Sequence, residues 1–131
     1  MNKHIVLGIS LILLLFSTLA NAQTGKKKVD SKQNIEAYYF HNTTRCVTCK
    51  AVEAEAKTHL KNLYGSRVRF QALNLDDKAT KAIAKRFHVS GQTLLVVKGK
   101  KSVNLTNEGF LYAKTNTAKF KEIIQNKVGA L

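Results

Sequence analysis

A chain of 131 residues is long enough for one compact domain and too short for two of ordinary size. Its 22 Lys and Arg against 8 Asp and Glu give a formal charge of +14, which reads first as a basic, solvated surface and second as a face for an acidic partner or membrane surface. The basic clusters, Lys26-Lys27-Lys28 and Lys98/Lys100/Lys101, are short and not interleaved with aromatics, which argues against nucleic acid as a partner.

The N-terminus reads as a leader rather than as part of a fold. Lys3 precedes an apolar run from Ile5 to Phe16, and the small-residue triplet Ala20-Asn21-Ala22 follows. Charged start, short apolar centre and A-x-A end are the pattern of a secretory signal peptide over residues 1–22, cleaved before Gln23. The apolar stretch is short for a membrane span of about 20 residues, so no stable membrane insertion is expected after cleavage. The protein is then expected to be exported, to a periplasm or outside the cell. Residues 23–34 are polar and basic and read as a flexible lead-in. One domain is expected over 35–131.

The ordered part begins at I-E-A-Y-Y-F, Ile35–Phe40, a run of β-formers and aromatics that predicts a buried strand. A polar loop from His41 to Arg45 leads to the cysteines. From Cys46 to Tyr64 the apolar positions Cys49, Val52, Ala56, Leu60 and Leu63 step by three or four, which predicts a helix stopped by Gly65-Ser66. Arg67 to Leu75 predicts a second strand. Asp76 or Asp77 is expected to cap a second helix with Ala79, Ile83 and Phe87 on its inner side. After Gly91, T-L-L-V-V predicts a central strand, and Gly99-Lys100 predicts a hairpin into Ser102–Leu105. A loop is expected through Phe110 and Tyr112, then a last helix from Thr117 with Phe120, Ile123, Ile124 and Val128 inward. The order β-α-β-α-β-β-α implies an α/β fold with a mixed sheet flanked by helices on both faces.

The chemistry concentrates in Cys46-Val47-Thr48-Cys49, a C-x-x-C opening a helix directly after a strand. A disulfide closing so short a loop adds little as a staple, which points toward reactivity. Unpaired N–H groups at a helix start favour a thiolate there, and Arg45 and Lys50 add positive potential. Cys46 is therefore expected to be the exposed nucleophile and Cys49 the resolving thiol. Two other readings stay open for the same pair. One is a soft-metal or metalloid site with His41 as third ligand, although no second C-x-x-C or H-x-x-x-H supplies a full ligand set. The other is a purely structural disulfide in an interaction module. Glu53 and Glu55, two apart on a helix, make a poor catalytic pair.

From about Ile35 to Val128 the chain resembles a thioredoxin-like domain. The resemblance rests on Y-Y-F-H-N-T-T-R-C-V-T-C-K-A-V-E, on L-N-L-D-D with its following helix, and on V-S-G-Q-T-L-L-V-V-K-G-K-K. It implies thiol–disulfide exchange at Cys46 and Cys49, with protein or small-molecule thiols and disulfides as substrates and no cofactor. A narrower likeness is to small exported bacterial proteins described as a nitrophenyl-compound nitroreductase subunit of the ArsF type. It is carried by R-C-x-T-C-K at Arg45–Lys50 and G-F-L-Y-A-K at Gly109–Lys114. The chain has no flavin-binding signature, so that likeness implies passing electrons to a redox partner protein that performs the reduction.

The departures from the thioredoxin pattern matter as much. Where thioredoxins carry a buried acid six residues before the first cysteine, this chain has Phe40, and His41 is the nearest group able to move a proton. Where they carry a cis-proline, this chain has Gln92, between Gly91 and Thr93. A cis bond before a non-proline residue costs about 3 kcal/mol, so a trans peptide is expected. The Gly91-Gln92-Thr93 loop is still expected beside the cysteines, as the place where an extended substrate docks.

Overall fold

The computed structural model describes residues 34–131. The leader over 1–22 and nearly all of the basic lead-in lie outside the described residues.

Four strands form one sheet in the order β2-β1-β3-β4: β1 Ile35–His41, β2 Val68–Asn74, β3 Thr93–Lys98 and β4 Lys101–Asn104. Strand β1 runs parallel to β2 and antiparallel to β3, and β3 pairs antiparallel with β4. The sheet is therefore mixed, as expected. The two central strands are apolar at nearly every position, because a strand covered on both faces has no solvent side. Alternate residues then sort by face. Ile35, Ala37 and Tyr39 of β1, with Leu94 and Val96 of β3, join Val52, Ala56, Leu60, Phe120, Ile124 and Val128 in one core. Tyr38 and Phe40, with Leu95 and Val97, face the other way and pack with Ala84, Ile83 and Phe87.

The larger core is closed by α1 Val47–Tyr64, α3 Thr106–Tyr112 and α4 Thr117–Gly129, and the smaller one by α2 Lys78–Arg86. Helix α1 follows the expected stripe, with His59 an addition among its buried residues. Its Nε2 lies 3.2 Å from a Glu55 oxygen, but the pair lacks hydrogen-bond geometry. Among the described residues no helix is long and apolar enough to cross a membrane.

Three local expectations are corrected. The stretch through Phe110 and Tyr112 is a helix rather than a loop. Gly109 costs helix propensity, but it is buried, and a Cβ built on it would lie 2.8 Å from Val52 Cγ1. The glycine lets α3 approach α1 closely. Neither Asp76 nor Asp77 caps α2: Asp77 holds the N-cap position without a side-chain bond, and Asp76 turns back to the Thr43 N–H at 2.8 Å. The inner face of α2 is carried by Thr80 and Ala84 with Ile83, whereas Ala79 is exposed. Helical phase over nine residues puts Thr80 and Ala84 one turn apart on the sheet side, and Ala79 rotates to solvent.

Candidate functional site

The site forms where the C-terminal end of β1, the start of α1 and the start of β3 meet. Cys46 occupies the N-cap position of α1 in extended conformation, and its Sγ accepts the Cys49 N–H at 3.0 Å. Sulfur here does what a serine or aspartate oxygen does at most helix starts. The first turn closes with the Lys50 N–H bonded to the Cys46 carbonyl at 3.1 Å. No acidic residue lies in that turn, so its unpaired N–H groups face the sulfurs without a competing carboxylate. Cys46 and Cys49 form a disulfide, with Cα atoms 5.1 Å apart. Cys46 is exposed, whereas Cys49 is only 4% exposed.

The loop before the cysteines is tied down from β2. Besides the Asp76 bond to the Thr43 N–H, Asn74 Nδ2 donates to Thr43 Oγ1 at 2.9 Å, and the Leu75 N–H donates to the His41 carbonyl at 2.7 Å. Hydrogen bonds from the Thr43 hydroxyl and amide hold the Asp76 carboxyl below its ordinary value. From inside the fold, the Tyr39 hydroxyl donates to the Cys49 carbonyl at 2.9 Å. Tyr39 is fully buried, and that burial raises its phenol above the ordinary value.

Arg45 sits 5.7 Å over the Tyr39 ring and is ion-paired with Glu53. Its positive charge is therefore shared with a carboxylate. Its Nε is buried without a hydrogen-bond partner. Lys50 is exposed, and with Arg45, Glu53, Ala54 and Lys57 it lines an open hollow of about 340 Å³ along the flank of α1. His41 is half-buried, and its Nδ1 pairs with the Asn42 carbonyl at 3.0 Å rather than with a cysteine. Among the described residues no three His, Cys, Asp or Glu side chains are grouped closely enough to hold a metal ion.

The third wall is the Gly91–Thr93 segment. Thr93 is the register partner of Phe40, which brings this loop to the end of β1 beside the cysteines. Its turn is held by the Thr93 hydroxyl, which donates to the Gly91 carbonyl at 3.0 Å. Gln92 Oε1 lies 3.4 Å from Cys49 Sγ. No cis peptide occurs among the described residues, in line with the trans bond expected before Gln92. Gln92 of the loop thus reaches the disulfide, whereas Arg45 and Lys50 line the hollow on the flank of α1. The sequence does not mark Tyr39, Glu53 or Asp76 as site residues. Tyr39 had a usable signal, since a buried tyrosine needs a partner for its hydroxyl.

Comparison with known proteins bears on the fold. No protein-family model matches the chain, and no curated protein sequence matches it. Solved structures do. Trxlp from Edwardsiella tarda EIB202 superposes with a TM-score of 0.51 at 19% identity, over 71% of this chain and 84% of that one. The germline-specific thioredoxin Deadhead of Drosophila melanogaster matches at 17% identity and TM-score 0.48, over 73% of this chain and 83% of that one. Fasciola hepatica thioredoxin matches at 18% identity and TM-score 0.48, over the same shares. At these identities the likeness is one of fold. With a four-stranded mixed sheet flanked by helices, the chain has a thioredoxin-like fold.

Proposed function

We propose that the protein is a thiol–disulfide oxidoreductase, with Cys46 and Cys49 as its exchangeable couple. The observation that carries this reading is the asymmetry of the pair at a helix start: an exposed sulfur at the N-cap and a nearly buried one a turn further on. In the reducing direction the Cys46 thiolate attacks one sulfur of a substrate disulfide and expels the other as a thiolate. The Cys49 thiolate then attacks Cys46 Sγ, closing the intramolecular disulfide and releasing the second substrate thiolate. Two electrons and the protons that balance them move from the protein to the substrate. The oxidising direction is the reverse.

The helix start favours the Cys46 thiolate, and Arg45 contributes the part of its charge that Glu53 leaves. The leader over residues 1–22 supports export, where a protein disulfide persists. N-terminal sequencing of protein from an exporting cell tests this, with Gln23 expected as the first residue. The R-C-x-T-C-K and G-F-L-Y-A-K elements support passing electrons to a nitro-reducing partner. The reduced protein alone is then expected to leave a nitrophenyl compound intact, since a dithiol exchanges electrons at sulfur.

The deciding experiment is equilibration of the mature protein against glutathione and dithiothreitol buffers, with thiol titration of Cys46 on the same sample. A reversible two-electron couple and a Cys46 pKa well below about 8.5 are expected. An unperturbed thiol, or a pair these buffers cannot poise, refutes the reading.

A further inference from the structure

We infer that Gln92 is a positioning residue for the resolving cysteine, one that favours the dithiol form and makes the couple more oxidising than the cysteine turn alone would be. The inference rests on the oxidoreductase reading. It starts from the 3.4 Å approach of Gln92 Oε1 to Cys49 Sγ. In the disulfide that sulfur carries no proton, so an acceptor oxygen faces an atom that has nothing to donate. On reduction Cys49 gains an S–H, and the same oxygen is within reach to accept it.

The site is built for this to matter. Cys49 is 4% exposed, so its thiol cannot freely exchange a protein partner for water. Gln92 is itself half-buried, at the mouth of β3, and its backbone is held by the Gly91–Thr93 turn and by the pairing of Thr93 with Phe40. The amide is therefore presented from a segment anchored in the central sheet. A hydrogen bond made only in the dithiol state shifts the dithiol–disulfide equilibrium by its own strength. An S–H is a weak donor, and its bond is worth about twofold in an equilibrium, which at 29.6 mV per tenfold for two electrons is about 9 mV.

The test measures reduction potentials of wild type, Gln92→Met and Gln92→Glu, each checked for unchanged thermal unfolding of the oxidised form. Methionine keeps the length and bulk of glutamine without the amide oxygen, and its equilibrium is expected to shift about twofold toward the disulfide. Glutamate keeps an acceptor oxygen in place, and its potential is expected at or above the wild-type value. A residue that merely shapes the loop would move both variants together. Equal potentials for wild type and Gln92→Met, or a Gln92→Glu potential as low as that of Gln92→Met, overturns the inference. Should Gln92→Met fail to fold, the glutamate variant alone still decides, since a potential below wild type contradicts an acceptor role. An irreversible wild-type couple would instead defeat the oxidoreductase reading before any variant is compared.

Discussion

Replacing Tyr39 with phenylalanine isolates one hydrogen bond at the heart of the site. The ring is fully buried in the larger core, and its hydroxyl donates to the Cys49 carbonyl at 2.9 Å. Phenylalanine keeps the ring volume and the surface beneath the Arg45 guanidinium, 5.7 Å from the centroid. The packing and cation–π contributions therefore survive, and the loss reduces to the hydroxyl. The Cys49 carbonyl is not orphaned, because the helix supplies it an N–H from four residues on. The cost is then that of an ordinary hydrogen bond, about 1 kcal/mol, and not that of a stranded buried acceptor. For a domain of 60–100 residues that lowers Tm by about 4–8 °C. The bond goes to backbone and not to sulfur, so the oxidised and reduced proteins should lose the same amount and the reduction potential should not change. Urea unfolding of both redox forms, wild type and variant, measures this. A loss below about 0.3 kcal/mol, or one confined to a single redox form, refutes the reasoning. Tyr39→Ala, by contrast, empties a core site and should cost about 3–5 kcal/mol.

Gly109→Ala puts a methyl 2.8 Å from Val52 Cγ1, inside a fully buried contact, and should destabilise by about 1–3 kcal/mol in chemical denaturation despite alanine's better helix propensity. Glu53→Gln removes the carboxylate that pairs with Arg45, so more positive potential reaches the neighbouring cysteine. The Cys46 thiol pKa, read by iodoacetamide alkylation rate against pH, should fall, and Arg45→Met should raise it. Burial, followed by the hydrogen bond to Glu36, pushes the Tyr38 phenol from 10.0 up to about 12. A folded-state pKa above the unfolded one gives stability that is full below pH 10 and lost as pH rises from 10 to about 12. Burial also raises Tyr39 and Tyr64, so Tyr38→Phe should make the alkaline fall in Tm shallower without abolishing it.

The parts of the fold legible in the sequence are those whose signal is local. I-E-A-Y-Y-F and T-L-L-V-V announce central strands because both of their faces need apolar residues, and the step of three and four after Cys46 announces α1. The missed helix α3 shows the opposite case. Gly109 reads as a helix breaker until Val52 is known to press against it, and that contact spans 57 positions of sequence. The Asp76-Asp77 pair shows a second limit. Aspartate before a helix satisfies both a capping rule and a loop-tethering role, and only the fold brings Thr43 within 2.8 Å of Asp76. Arg45 shows a third. Its sign and place beside Cys46 are plain in the sequence, but Glu53, two turns into α1, takes up part of its charge.

These three cases converge on how the site is set. Rigidity comes from outside the C-x-x-C: Asp76 and Asn74 hold the loop before it, Tyr39 holds the turn within it, and β3 carries Gln92 to it. The electrostatics are split in the same way. In the proposed exchange the helix start acts on Cys46 from the backbone, which no substitution at the surface removes, whereas Arg45 acts through a pair that Glu53 can tighten or release. Cys49 is the buried member of the pair, and the Gln92 amide oxygen approaches its sulfur directly. In that exchange the two cysteines answer to different groups. Changes at Arg45 and Glu53 should move the reactivity of Cys46 with little effect on the Gln92 contact, while changes at Gln92 should move the equilibrium between dithiol and disulfide. Separable control of nucleophile and resolving thiol is what a dithiol needs if its rate of attack and its final redox state are to be tuned independently.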